Sequence, residues 1–389
     1  MRLKEVLPHI IGQEQGAFIP GRSIHSHLLL VQEMMHSLKY GCGRKALMAA
    51  KVDLESAYDS IEWEGLFQIL RYFQFPDRWI RWVKACVSTT RVAILVNGTP
   101  TEWIPVERGL RQGDPLSPYL FAIVVEALSA KLRIVQRSGM LHGNQPDARL
   151  LGAHVPEGIS HVLYADDLLV VSSATPLACD TLRTVFEEVR QFTRLKVNWG
   201  KSSVRFSPSV PCRIQKWMSR ILHMKLANGA WKYLGVQVMD ASSRRRGVDM
   251  VIEKAHDKLT IWKSQLLTMA GRIQLIKAVM SMLPQHLLMA AAMSGKGLGQ
   301  LEKLMRQFLW IQQSGRKIIH LICWDNVTKP KQEGGLGLQK MKDLRIAILG
   351  MLAYRFLLSN SYIQPLFALK YKWSGNPWEI SKNPKGPPI

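Results

Sequence analysis

Two adjacent carboxylates, Asp166 and Asp167, interrupt the apolar run His161-Val-Leu-Tyr-Ala-Asp-Asp-Leu-Leu-Val-Val171. Crowding two like charges in such a setting raises a carboxyl pKa unless a cation compensates. The plain alternative is an Asp-Asp turn on an ordinary surface hairpin, since turns favour Asp. Upstream, Lys51-Val-Asp53-Leu-Glu-Ser-Ala-Tyr58-Asp59 places Asp53 at the end of a second apolar stretch, where the chain turns toward a helix. A strand-end carboxylate beside an Asp pair makes an all-oxygen site, which suits Mg²⁺ rather than zinc. Two such ions about 4 Å apart can activate a hydroxyl, neutralise a leaving pyrophosphate and stabilise an in-line displacement.

The elements that must position these acids are legible around them. Residues 46–54 and 91–96 are apolar and β-branched enough for strands, the second ending in the hairpin pair Asn97-Gly98. Between them, 61–75 and 77–87 carry large apolar residues at helical spacing. A helix is expected from Ser117-Pro118, with Ser as its cap and Pro in its first turn. Residues 159–172 predict a hairpin broken by the two acids, 175–195 a helix, and 231–238 a strand pair. From Val248 onward the segments ending near Thr268, Leu283, Gln313 and Ser359 predict helices, and the Pro-, Gly- and Lys-rich tail from Ser374 predicts disorder.

Composition narrows the partner. The 389 residues carry 52 Lys and Arg against 29 Asp and Glu, a formal charge of +23, and 47% are hydrophobic. So apolar a chain can fill a large core, which excludes a disordered acidic protein, and the length suggests two or three domains. Five Cys stand far apart with no C-x-x-C pair, which predicts a reducing compartment without a disulfide framework or zinc site. Residues 1–10 lack a long apolar secretory core, and no apolar stretch approaches the ~20 residues that span a bilayer, so a soluble protein with no membrane partner is expected. The charge is concentrated: residues 51–130 hold 8 basic and 10 acidic residues, whereas 194–280 hold 17 basic and 4 acidic. Carboxylates for metal in one region and Lys and Arg for a phosphate backbone in another would divide the chain in this way.

The ordered set Asp53-Leu-Glu-Ser-Ala-Tyr-Asp59, Gly109-Leu-Arg-Gln-Gly-Asp-Pro-Leu-Ser-Pro118 and Tyr164-Ala-Asp-Asp167 resembles motifs A, B and C of reverse transcriptases, in the form found in plant non-LTR (LINE-type) retrotransposons. Gln15-Gly-Ala-Phe-Ile-Pro-Gly-Arg-Ser23 resembles a fingers motif, Leu195-Lys-Val-Asn-Trp-Gly-Lys201-Ser202 motif D, and Tyr233-Leu-Gly235 the primer grip. Ala270-Gly-Arg272, Phe308-Leu-Trp310, Trp324 and Pro330-Lys-Gln-Glu-Gly-Gly-Leu-Gly337 resemble the region that follows the polymerase in such proteins, so the likeness covers roughly residues 10 to 360.

The resemblance implies an α+β right-hand polymerase fold, with partial fingers over 1–50, a palm over 51–242, a helical thumb over 243–313, a helical extension over 314–373 and the tail beyond. It implies an RNA-directed DNA polymerase that uses two Mg²⁺ ions, or Mn²⁺ in their place. Its partners would be an RNA template, a DNA primer and dNTPs, in an intracellular ribonucleoprotein, nuclear or cytoplasmic; protein partners stay unspecified. By residue, Asp53 and Asp166 would bind metal with Asp167 in support. Tyr58 would lie under the nucleotide sugar, where a ring clashes with a 2′-hydroxyl; a core aromatic is the alternative. Gln112 and Gly113 would pack near nucleotide and template, Arg22 would hold a phosphate or simply sit exposed in its loop, and Lys201 would neutralise or protonate pyrophosphate or else be a solvated Lys. The Arg244-Arg245-Arg246 run reads equally as linker charge or as a nucleic-acid contact.

There are departures. His25-Ser26-His27 replaces the more usual Asp-Asn-Ile, Tyr164 stands where Phe is commoner, and Arg194 occupies a place that is usually Gly, where a left-handed backbone would cost ~1 kcal/mol. The earlier fingers strands and the endonuclease domain are expected to lie outside this chain. That leaves two alternatives to the polymerase: a relic or maturase-like RNA-binding protein, and a Mg²⁺ nuclease using the same acids.

Overall fold

The computed structural model describes residues 3–40, 46–141, 159–227, 229, 231–238, 241–261, 267–285, 288, 295–310, 320 and 322–358. The expected disordered tail lies outside these, as do the side chains of Arg244, Arg245 and Arg246. The chain divides into two compact units, with the break between Gly229 and Ala230.

The first unit opens with α1 (Leu3–Ile10) and α2 (Ile24–Tyr40), followed by β1 (Leu47–Val52) and the short β2 (Leu54–Glu55). Helices α3 (Trp63–Tyr72) and α4 (Asp77–Ser88) come next, then four two-residue strands, β3 (Arg91–Val92), β4 (Leu95–Val96), β5 (Thr99–Pro100) and β6 (Ile104–Pro105). The long α5 (Ser117–Arg137) precedes the hairpin β7 (His161–Tyr164) and β8 (Asp167–Ser173). The unit ends with α6 (Pro176–Thr193), β9 (Lys196–Val197), β10 (Ser203–Phe206), α7 (Cys212–Ile221) and β11 (Lys225–Leu226).

Five of these strands form one sheet in the order β11-β10-β1-β8-β7, so β1 is central and meets β8 and β10 antiparallel. Alternation along β1 sorts its side chains between two covered faces. Met48, Ala50 and Val52 join Leu168, Val170, Val204 and Phe206 in a core shared with α5 and α6. Ala49 points the other way and is equally buried, on a sheet whose β1 and β7 pack against α2. Covering on both faces explains why β8 reads as a continuous apolar run rather than an alternating one.

Helix α6 is bounded as its residues require. The Thr175 hydroxyl accepts from the Ala178 N–H at its start, and Arg194 closes its end at φ 61°. Two expectations need correction. Ser117 does not cap α5: Leu116 is the N-cap, Ser117 lies inside the helix, and the Asp114 carboxylate turns the chain by accepting from the Leu116 N–H at 2.7 Å. The stretch 91–96 is not one strand. Its ladder breaks at Ile94, whose N–H donates instead to the Thr101 hydroxyl, although the two-residue Asn97-Gly98 hairpin forms as expected with both φ positive.

The second unit begins with the hairpin β12 (Trp231–Tyr233) and β13 (Val236–Val238) and continues through α8 (Ala241–Ile261) and α9 (Met269–Leu275), which passes into a π turn over Ile276–Met280. Among its described residues follow the helices α10 (Gly295–Leu309), α11 (Trp324–Val327) and α12 (Met341–Leu358), with α10 packed against α8, α9 and α12. Arg244–Arg246 thus belong to a helix rather than a linker. Among the described residues, no helix is long and apolar enough to cross a membrane.

The left-handed cap at Arg194 is a strained choice for a residue with a Cβ, and its ion pair with Glu62 is long at 3.9 Å and solvent-exposed. Arg194→Gly should therefore stabilise the protein by about 1 kcal/mol, read from its urea midpoint. A lower midpoint would show that the Glu62 contact outweighs the backbone cost.

Candidate active site

The register of the central strands builds the site. Val52 lies opposite Leu168, so one further step brings Asp53 at the end of β1 level with Asp167 at the start of β8. Asp166 and Ala165 form the two-residue turn between β7 and β8, closed by the pair Tyr164↔Asp167. Ala165 takes φ 56°, the left-handed conformation such tight turns demand. Asp166 is exposed at the tip, while Asp53 and Asp167 are half-buried.

These acids repel. Burial raises the Asp167 carboxyl pKa, Lys51 lowers it, and the charges of Asp166 and Asp53 raise it further. The Lys51 ammonium stands 3.9 Å from the Asp167 carboxylate and partly offsets that repulsion. Sequence reading missed this role, though Lys51 and Asp53 share one face of β1 by simple alternation.

Two other segments, 196–202 and 14–16, lock the acids in place. The Asp53 N–H donates to the Ser202 hydroxyl at 3.1 Å, and its carbonyl accepts from the Asn198 N–H at 2.8 Å. Strand β9 pairs with β2 through Leu54↔Val197, so the segment carrying Lys201 lies alongside Asp53, with the Lys201 side chain exposed. On the far side, the chain at Glu14–Gly16 runs parallel to β7, exchanging bonds with the Leu163 N–H and carbonyl. Gln15, only 1% exposed, accepts from the Ala165 N–H at 3.0 Å and so holds the turn bearing Asp166. The motif around Gln15 was legible, but its grip on a turn far along the chain was not.

A buried polar network braces the same corner. Glu126 and Ser129 of α5 engage Arg133, which also reaches Glu14, and Glu126 accepts from the Gly12 N–H. His161, fully buried, lies between the Ser129 and Ser160 hydroxyls, and burial lowers its pKa to about 4, so it is a neutral structural ring. His27 likewise packs its ring against Tyr164, and burial lowers its pKa to about 3.

Tyr58 stacks on Phe121 of α5 with ring centroids 4.4 Å apart, and burial together with the Asp166 charge pushes its phenol up to about 12. It is thus both a core aromatic and a neighbour of the acidic turn. Behind it, Leu110 N–H donates to the Tyr58 carbonyl and Gly109 N–H to that of Ile61, strapping the loop of Gln112 and Gly113 to the Asp53 segment. Gln112 is exposed at a cleft of about 440 Å³ that Asp59, Arg108 and Arg111 also line, and Gly113 takes φ 89° with open space where a Cβ would point.

Arg22 is placed differently from either sequence reading. Its guanidinium donates to the carbonyls of Ile11, Gly12 and Gln15, so it shapes the loop that carries Gln15. Tyr233, Leu234 and Gly235 belong to the second unit. There Tyr233 is a core residue, and Leu234 and Gly235 form a tight turn at φ 45° and 82°.

The three carboxylates, with no nitrogen or sulfur donor among them, are of the all-oxygen donor type that a hard divalent cation takes. Among the described residues no group of three or more His, Cys, Asp or Glu is arranged to hold a metal ion.

Residues 1–238 match the family described as reverse transcriptase (RNA-dependent DNA polymerase). An uncharacterized 149 kDa protein of transposon TX1 from Xenopus laevis is 25% identical over 353 residues, which are 87% of this chain and 24% of that protein. An uncharacterized mitochondrial protein of Arabidopsis thaliana is 40% identical over 119 residues, 30% of this chain and 90% of that one. A retrovirus-related Pol polyprotein from the type-1 retrotransposable element R2 of Nasonia vitripennis is 28% identical over 163 residues, 42% of this chain and 14% of that one. The chain thus spans about a quarter of the length of the TX1 protein.

Two outcomes follow from this geometry. Folded Asp167 holds its proton more firmly than the ordinary carboxyl of 3.8, so the fold loses stability as pH rises above 3.8 through the raised value. In metal-free buffer at neutral pH, Asp167→Asn should melt above the parent, with the difference vanishing below pH 3.8. Added Mg²⁺ should raise the parent's melting temperature more than the variant's; a variant less stable at neutral pH would show that the Lys51 contact dominates. Separately, a Cβ at Gly109 would meet the Asp59 carbonyl at 2.7 Å on a backbone of φ +88°. Gly109→Ala should cost at least about 1–2 kcal/mol in urea denaturation.

Proposed function

The chain belongs to the reverse transcriptase (RNA-dependent DNA polymerase) family, with relatives among non-LTR retrotransposon proteins, and from that premise we propose that it extends a DNA primer on an RNA template as the polymerase part of a LINE-type element. The observation that carries this reading is the β1–β8 register, which brings Asp53 to the Asp166–Asp167 turn across an otherwise apolar sheet. Asp53 and Asp166, with Asp167 in support, are the residues that would hold two Mg²⁺ ions, which when bound supply activation of the primer 3′-hydroxyl and charge neutralisation on the leaving pyrophosphate.

The chain's own groups do the rest. The Tyr58 ring, braced on Phe121, would be the floor for the nucleotide sugar, where a ring clashes with a 2′-hydroxyl. Gln112 and Gly113 present an open, glycine-shaped backbone to nucleotide and template. Lys201, exposed on the turn that ties down Asp53, would neutralise or protonate the departing pyrophosphate, and Tyr233, Leu234 and Gly235 would serve as the primer grip. Partial fingers over 1–50, a palm over 51–242, a thumb over 243–313 and an extension over 314–373 are the parts this assigns. The basic balance suits an intracellular ribonucleoprotein, nuclear or cytoplasmic.

Purified protein should extend a DNA primer on an RNA template with Mg²⁺ and dNTPs. Asp166→Asn should lower the rate by about three orders of magnitude while RNA binding persists. Equal extension by the variant would sink the assignment. Salt-sensitive RNA binding with no incorporation by the parent would favour the relic or maturase-like reading.

A further inference from the structure

Helix α7 carries a surface that the polymerase reading leaves unused. From Arg194 to Met239 the chain has nine Lys and Arg and no Asp or Glu. On α7, Arg213, Lys216, Trp217 and Arg220 recur at helical spacing, and all four are exposed. Met218 and Leu222, on the opposite side, are fully buried. Among the described residues of the first unit none covers the basic stripe, and Trp217 is 53% exposed within it.

The stripe continues past the helix end. His223 and Lys225 are exposed, and together with Arg220 they line an open concavity of about 480 Å³ whose other wall is Trp199 and Gly200. Of the three acids of α6, Glu187 pairs with Arg190 and Glu188 with Lys131. Fixed positive charge with aromatic rings set among it is the chemistry that holds an unpaired nucleic-acid strand: cations follow the phosphates while rings stack on exposed bases. A duplex would offer phosphates but no free base faces to Trp217.

We infer that the α7 face, from Arg213 through Lys225 with Trp199 and Trp217, binds single-stranded RNA. The identity of the strand as RNA rests on the polymerase reading; the charge and the rings do not. This surface holds template that is not yet paired, or has been released, close to the enzyme.

The test is fluorescence anisotropy of an unstructured, labelled RNA of about 20 nucleotides, with the full chain, without nucleotides or metal, across a salt series. Lys216→Glu with Arg220→Glu should weaken binding on the order of tenfold and flatten the log–log salt dependence by about 1.4, as two lost phosphate contacts on a single strand require. Trp217→Ala should weaken binding about fivefold or more and leave the salt slope unchanged. Single-nucleotide incorporation on a short primer–template should be the same in parent and variants, and Asp166→Asn should bind RNA like the parent. Unchanged affinity and slope in both α7 variants would overturn the proposal. So would an equal loss with blunt duplex RNA, which would leave no role for base stacking, or equal displacement of RNA by polyglutamate, which would point to an acidic protein. Loss of incorporation in Asp166→Asn alone leaves this binding intact, so the two readings fail separately.

Discussion

The antiparallel pairing of β1 with β8 is the constraint on which the rest depends. It is a backbone ladder in the middle of a sheet covered on both faces, and a shift of one residue would turn every apolar side chain of β1 to the wrong side. Because that shift is so costly, the register is firm, and with it the meeting of Asp53 and the Asp166–Asp167 turn. Burial of Met48, Ala50, Val52, Leu168 and Val170 therefore does more than stabilise the unit. It forces three like charges to one end of the sheet, where water alone would let them separate.

That enforced repulsion explains the density of supports around the turn. Lys51 offers partial compensation, Ser202 and Asn198 clasp the Asp53 backbone, and Gln15 holds Ala165 in its left-handed conformation. Buried His161 and His27 are neutral, so they pack the corner without adding charge. A site that concentrates charge for a cation is locally less stable without it, and the surrounding fold makes up the difference. The same logic divides the chain by charge. Acids gather where strand ends converge, and cations collect from Arg194 to Met239, where no acid interrupts them.

Much of this was legible in the residues because it is local. The two-residue turn at Asn97-Gly98, the helix beginning beyond Thr175 and the left-handed position at Arg194 follow from short-range steric and capping preferences. Ser117 misled because Ser before Pro is a common cap, yet Asp114, three positions earlier, had already taken the turning role. The stretch 91–96 misled for a different reason. Apolar, β-branched residues imply burial, but Ile94, Leu95 and Val96 stand exposed on a hairpin whose ladder breaks midway. The short β9, β10 and β11 carry too few residues to show a period, and α7 is so basic that its buried stripe of Met218 and Leu222 is thin.

By itself the sequence determined which groups can act: three aspartates in recognisable settings, a tyrosine, a glycine-bearing loop and a lopsided distribution of Lys and Arg. These are properties of residue type and near-neighbour spacing, so no fold is needed to read them. Only the tertiary structure decided who meets whom. Lys51 with Asp167, Gln15 with Ala165, Ser202 with Asp53 and Gly109 with Asp59 are joined by strand order, register and close backbone approach. Those arise from burying surface across distant parts of the chain, which leaves no periodic trace in the residues that come to touch.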